Sequence, residues 1–245
     1  MNTNKKKILA IIPARQNSKN LKNKNIRLLN GHPLLSYSVI AAVKSKLIDK
    51  VICSTDSKYI ARIAKKYGAE VPFLRPKEIA QDQSEDLELF KHTLKWLENN
   101  ENYIPDIVIH LRPTSPIRFK KDINKAIKII LEDSKIDSVR SLSVSKKSPY
   151  KMWKINNNKF INPVVTLESI KEAYNKPRQK LPQCYIHNGN IDVIRLSTIL
   201  KKNSMTGNYI APIILDERYS IDIDDLNDLM VARKIISRAK CIKPN

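Results

Sequence analysis

Short runs of aliphatic and β-branched residues alternate along this chain with stretches whose apolar residues recur every three or four positions. The runs at 8–13, 50–54, 107–111 and 138–144 read as buried strands, and the stretches at 34–46, 59–67, 87–97 and 123–131 as helices. Strands alternating with helices are the signature of βαβ units, so the pattern predicts an α/β fold with a doubly wound, mostly parallel sheet covered on both faces. Asp56 and Ser84 stand where helix N-caps are expected, and Glu85, Asp86 and Glu88 follow Ser84 where the helix dipole favours acids.

The rhythm breaks between 145 and 186. There "SPYKMW" and "KPRQKLPQCY" surround a hairpin-like "KINNNKF", and no helix of normal length is required. The segment reads as an insertion that packs elsewhere. A strand-like "NIDVIR", a short helix near 197–202, "YIAPIIL", "SIDIDD" and a final amphipathic helix over 226–237 complete the chain.

The 245 residues, 42% of them hydrophobic, suffice for one core, so a single domain over 1–245 is expected. No apolar run is long enough for a membrane span and no signal-peptide pattern opens the chain, so no membrane partner is expected. Cys53, Cys184 and Cys241 are odd in number and lack CxxC spacing; a reducing cytoplasmic location fits them. The net charge of +21 comes from lysines scattered over most elements, without an arginine-rich run interleaved with aromatics. It reads as a solvated basic surface or attraction for an acidic small substrate, not as a nucleic-acid footprint.

Two stretches carry candidate chemistry. After the first strand, "PARQNSKNLKNKN" packs Arg15, Lys19 and Lys24 with Asn17, Asn20, Asn23 and Asn25 and contains no glycine. The loop after the first strand of an open sheet is a common phosphate cradle, and asparagine is one of the few residues besides glycine that tolerates positive φ. An ordinary polar surface loop fits the same residues. Both the Rossmann and Walker glycine patterns are missing. Near the end, Asp222 and Asp224 of "SIDIDD" are spaced to point the same way from an extended segment and to share a hard divalent cation, while Asp224 or Asp225 also fits as a helix cap.

Together "IIPARQNSKNLKNKNIRLLNGHPLLSYSV", "VICSTDSKYIARIAKKYGAEVPFLRP", "LRPTSPIR", "SPYKMW", "PRQKLPQCY…NG" and "SIDIDDLNDL" resemble the acylneuraminate cytidylyltransferases, the CMP-sialic acid synthetase family, from Ile11 to about Leu229. The resemblance implies a fold of the nucleotide-diphospho-sugar transferase type, a homodimer in which the insertion reaches the neighbour's site, and Mg²⁺ dependence. It also implies that an acidic 2-keto sugar attacks the α-phosphate of CTP, giving CMP-sugar and pyrophosphate. Carried over by position, Arg15 and Lys24 match triphosphate-binding residues, with Ala14, Asn17, Ser18 and Asn25 in the same nucleotide loop. Arg75, Ser84 and Arg112 match positions around the nucleotide. Asp222 and Asp224 match the metal carboxylates, so Arg15, Lys24 and Asp222 are the expected catalytic residues. Lys151, Arg178 and Gln179 of the insertion and Asn188 of the "NG" element match the side facing the acid sugar.

Blander roles also fit some of these: Arg178 and Gln179 as braces of an interface, Lys151 beside Tyr150 and Trp153 as a cation–π contact. His110 reads as a satisfied core histidine, and His187 is the one histidine to watch. Two departures from the family stand out. Most members carry glutamine where this chain has Arg112, and a residue that only donates replaces one that both donates and accepts. "IHNG" stands for "RPNG", with Ile186 in place of arginine, so the sugar is expected to be of sialic, legionaminic or pseudaminic type or another anionic acceptor. A glycosyltransferase with a DxD-type metal site and a basic binding module without catalysis are the competing readings.

Overall fold

A computed structural model describes residues 5–18, 21–157 and 159–244. Lys19 and Asn20 of the first loop lie outside the described residues. The chain builds a six-stranded sheet in the order β10, β6, β9, β5, β1, β4. These are Ile8–Pro13 (β1), Lys50–Ser54 (β4), Ile107–His110 (β5), Ser138–Val144 (β6), Tyr185–Arg195 (β9) and Ile210–Ile214 (β10). Neighbouring strands run parallel except β9, which is antiparallel to both β5 and β6.

Period two explains the core. Ile8, Ala10 and Ile12 of β1 face one cluster, shared with helices Leu34–Val43 (α1), Lys58–Lys66 (α2) and Lys120–Glu132 (α4), while Leu9 and Ile11 face the other, shared with Asp86–Glu101 (α3) and Leu196–Leu200 (α5). A strand apolar on both faces needs helices on both, which is the doubly wound arrangement anticipated from the pattern. β1 connects to β4 on one side of itself, and the chain then crosses to β5 on the other. That reversal of strand order opens a crevice at the carboxyl ends of β1 and β5.

Both anticipated caps shift. Ser57, not Asp56, caps α2, because its side chain accepts from Ile60 N–H whereas Asp56 Oδ1 accepts from Gln16 N–H at 2.8 Å. Glu85 precedes α3 without a side-chain cap bond, and Ser84 Oγ instead joins the turn before it, accepting from Gln81 N–H and donating to the Glu78 carbonyl.

The insertion holds the antiparallel hairpin Trp153–Asn156 (β7) with Phe160–Pro163 (β8), besides short 3₁₀ turns. The small hairpin Leu28–Leu29 (β2) with His32–Pro33 (β3) precedes α1. β9 begins inside the segment read as irregular, and its pairing with β6 slips register around Arg140 and Leu142. Gly189 sits at that irregularity with φ +65°, and a Cβ there would meet Arg112 Cδ at 3.4 Å, so glycine serves both the turn and the close approach. The last helix is Leu226–Arg238 (α6), opened by a reciprocal capping box between Asp225 and Asp228. No helix among the described residues is long and apolar enough to cross a membrane.

Candidate active site

The loop leaving β1 is fastened before it reaches solvent. Ala14 is fully buried and donates its N–H to the Ser54 carbonyl; the next turn is tied down through Asp56 and Gln16. Asn23 takes the left-handed conformation, φ 57°, and starts the 3₁₀ turn Lys24–Ile26. Buried Asn25 works differently, because its Nδ2 donates to the Arg15 carbonyl at 2.9 Å and folds the loop back on itself. These bonds present Arg15, Ser18 and Lys24 to a cleft of about 440 Å³ at the β1–β5 crevice.

Aspartates inside that cleft engage its cations. Arg15 Nη1 lies 2.6 Å from Asp82 Oδ1, and Lys24 Nζ donates to Asp224 Oδ1 at 2.8 Å. Arg75 and Ser84 also line it. Arg75 is almost wholly buried, with Nε donating to Ser54 Oγ and its N–H to the Thr55 carbonyl, so it braces the end of β4 as well as forming cleft wall; burial, offset by neighbouring carboxylates, lowers its pKa.

On the β5 side Arg112 lines the cleft, with Nη1 donating to Asp192 Oδ2 at 2.7 Å and Nη2 reaching Asp86 Oδ2 at 3.3 Å. Asp192 also accepts from Arg140 Nε and pairs with His187 Nε2, each at 3.2 Å. Burial alone would raise the Asp192 carboxyl, but the His187 hydrogen bond and the Arg112 charge outweigh it and hold the group far below the usual range. His110 is not the satisfied core residue expected. It is fully buried in the cleft wall, neither ring nitrogen has a hydrogen-bond partner among the described residues, and burial together with Arg112 pushes its pKa down to about 4.

Ile223 anchors the acidic segment: its side chain is buried and its N–H donates to the Thr114 carbonyl at 2.8 Å. Asp222 and Asp224 flank that anchor and are both exposed; Asp224 lines the cleft, whereas Asp222 lies outside its lining. The capping alternative falls to Asp225, whose side chain takes the Asp228 N–H and leaves the Asp224 carboxylate to Lys24. No group of three or more histidine, cysteine or acidic side chains suited to a metal occurs among the described residues.

Other anticipated site residues lie elsewhere. Asn17 lines an adjoining hollow with Asp56 and Lys77. Arg178 and Gln179 line a separate hollow at the root of the insertion, where Arg178 Nη2 donates to the Ser145 carbonyl. Lys151 Nζ donates to the Tyr174 carbonyl at 3.0 Å, beyond the cleft of this chain. The buried Asn188 amide is spent internally, accepting from Ser141 Oγ and Asn190 N–H and donating to Ser220 Oγ, so it braces β9 instead of presenting itself to a substrate.

Sequence reasoning missed Asp82, Asp86, Asp192 and Arg118. Arg118 is buried and donates to Asn190 O, Ser38 Oγ and Arg112 O, each at 2.8 Å, so one guanidinium fixes the loop after β5. Its place in "TSPIR" was the available signal.

A switch-point crevice with a cationic loop on one wall and the exposed Asp224 carboxylate on another suits a nucleotidyltransferase-type site. The comparisons agree with this class. A cytidylyltransferase family model matches residues 9–205, and the chain belongs to that family. It is 35% identical over 229 residues to an N-acylneuraminate cytidylyltransferase of Escherichia coli, covering 92% of this chain but only 51% of that protein, so it spans about half the E. coli enzyme's length. It is 32% identical over 230 residues to a CMP-N,N'-diacetyllegionaminic acid synthase of Campylobacter jejuni, covering 94% of this chain and 95% of that one. Among solved structures, a CMP:2-keto-3-deoxy-manno-octonic acid synthetase complexed with CTP superposes with a TM-score of 0.69 at 13% identity, over 95% of this chain and 99% of the other, which speaks to the fold.

Proposed function

We propose that this chain is a cytidylyltransferase that activates an acidic 2-keto sugar of the sialic or legionaminic type with CTP. The observation carrying the reading is the Lys24–Asp224 contact: residues 200 positions apart bring the cationic loop and the acidic segment to one cleft. The sugar's anomeric hydroxyl oxygen forms a bond to the α-phosphorus, the bond from that phosphorus to the bridging oxygen breaks, pyrophosphate departs, and the hydroxyl proton passes to solvent. Such a transfer demands charge neutralisation and in-line placement more than a covalent nucleophile. Arg15 and Lys24 are assigned to the triphosphate, with Ser18 and Asn25 shaping its loop, and Arg75 and Ser84 to the nucleoside end.

The donor set fits Mg²⁺, which takes one or two carboxylates, keeps waters and completes its shell with phosphate oxygens. Asp222 and Asp224, exposed on either side of a buried anchor, would hold it. When bound, the ion supplies Lewis acidity at the phosphates. The chain is assigned to homodimers through the insertion hairpin, where Ile155 and Phe160 are 69% and 72% exposed, so that Lys151, Arg178 and Gln179 serve the neighbouring cleft. Its three free thiols support a reducing, cytoplasmic setting.

The test is pyrophosphate release with each of four nucleoside triphosphates against N-acetylneuraminic and N,N'-diacetyllegionaminic acids. CTP with at least one acid is expected to turn over. Asp222→Asn should lower turnover by orders of magnitude while CTP still raises the melting temperature. Near-normal release by that variant refutes the metal assignment, and silence with every pair refutes the activity.

A further inference from the structure

Arg112 is held unequally on its two sides. Asp192 is 3% exposed and receives Arg112 at 2.7 Å while also engaging Arg140 and His187, so it is a fixed anchor for the guanidinium. Asp86, 39% exposed, meets the other amino group at 3.3 Å, long beside the roughly 2.7–2.9 Å of a strong charge-assisted hydrogen bond. The same Asp86 oxygen lies 3.8 Å from Nδ1 of His110, the buried ring that has no hydrogen-bond partner on either nitrogen among the described residues. A buried polar ring without partners is costly and calls for a functional explanation.

We propose that Arg112 binds the carboxylate of the incoming sugar acid, and that Asp86 is a removable placeholder that passes to His110 when the acid arrives. The inference rests on the cytidylyltransferase reading and names the residue that reads the acceptor. Position supports it. The cationic loop leaves β1, whereas Arg112 follows β5 and faces β9, and the insertion leaves β6 and returns into β9 at the same edge of the sheet. Arg112 therefore stands between the phosphate end and the insertion. Its planar fork matches a second carboxylate once Asp86 withdraws, and Asp192 keeps the fork oriented. A displaced Asp86 left without a donor would repel the new carboxylate. Moving about 1 Å brings it within hydrogen-bond reach of His110. One carboxylate replaces another on Arg112, so an uncharged acceptor has no means of effecting the exchange.

The experiment is steady-state kinetics with CTP and whichever of N-acetylneuraminic or N,N'-diacetyllegionaminic acid the wild type uses, resolving KM for each substrate, with the CTP-induced rise in melting temperature as a folding check. Arg112→Gln should raise the acid's KM about tenfold or more while CTP's KM stays within about twofold. Asp86→Asn, which weakens the placeholder's hold on Arg112, should lower the acid's KM. His110→Leu should raise it in the native background and leave it unchanged in Asp86→Asn, the non-additivity expected of coupled sites. A parallel rise in CTP's KM on Arg112→Gln, a higher acid KM in Asp86→Asn, or an equal His110→Leu effect in both backgrounds overturns the proposal. A wild-type chain inert toward every acid overturns the cytidylyltransferase reading itself and this proposal with it, whereas an active wild type indifferent to Arg112→Gln overturns this proposal alone.

Discussion

Replacing His110 by leucine should stabilise the protein at neutral pH and remove part of its acid sensitivity. The ring is fully buried, both nitrogens lack partners, and Phe90 packs edge-on against it at 4.9 Å, so an apolar side chain of similar size suits the site. Removing unsatisfied buried polar groups is worth about 1–3 kcal/mol, less up to about 1.5 kcal/mol for imperfect shape. The pH term has a definite sign. Burial first, then the charges of Arg112 and Arg118 against those of Asp86 and Asp192, lower the folded-state pKa from 6.5 to about 4. The unfolded chain therefore binds the proton first, and stability present above pH 6.5 is lost as pH falls toward 4, at up to about 1.4 kcal/mol per pH. At pH 5 the wild type should have lost about 2 kcal/mol through this residue, and the variant nothing. Urea unfolding at pH 7, 6 and 5, followed by tryptophan fluorescence, measures the difference directly. Other titrating groups occur in both proteins and largely cancel. A stability difference between the two that stays constant from pH 7 to 5 refutes the argument.

Gly207→Ala should destabilise strongly. Its φ is +68° and an added Cβ would fall 2.5 Å from Asp137 Cβ, disturbing a carboxylate that accepts from Lys202 Nζ, Asn208 N–H and Tyr209 N–H. A loss of about 2–4 kcal/mol, or about 5–15 °C in Tm, is expected by calorimetry, and an unchanged Tm contradicts it. If the chain pairs through its insertion as proposed, Phe160→Asp on the exposed hairpin should shift sedimentation velocity from dimer to monomer without changing Tm at low concentration, and an unaltered sedimentation coefficient refutes a hairpin interface.

The strands were legible because burial on both faces leaves unbroken aliphatic runs, and the observed limits of β1, β4 and β6 coincide with them. Strand direction leaves no such trace: nothing in "NIDVIR" says that β9 runs against its neighbours, and its first residues lie beyond a register shift opposite Arg140 and Leu142 that interrupts the strand's regular pattern. Caps failed for a related reason. Asp56 and Ser57 are adjacent and both suit a helix start, and the choice is made by the Gln16 amide, 40 positions away. Arg15, Lys24 and Asp224 were legible as candidates because they stand in short local motifs, and the structure brings all three to one cleft. Asp82, Asp86 and Asp192 were not, since an aspartate acquires such a role only from the arginine that folding places beside it. His110 was misread because an apolar strand predicts burial but cannot tell whether a partner is waiting.

Those unforeseen aspartates change what the charge means. Arg15, Lys24 and Arg112 crowd one cleft, and unpaired they would repel one another at close range; Asp82, Asp224 and Asp86 each offset one of them. The large positive charge of the chain thus resides mainly on scattered lysines, and most of the cations lining the cleft are offset by its aspartates. On the proposed reading, a triphosphate must displace aspartates from Arg15 and Lys24, so the gain from its own charge is reduced by the pairs it breaks. The displaced carboxylate of Asp224 is left beside polyphosphate oxygens, where only a cation makes it tolerable. A divalent ion arriving with the nucleotide would answer both demands, since Asp224 would then hold the ion and Lys24 would be free for the phosphates. On the proposed reading, the Lys24–Asp224 contact that joins the two walls of the cleft would couple nucleotide and metal binding, each favouring the other.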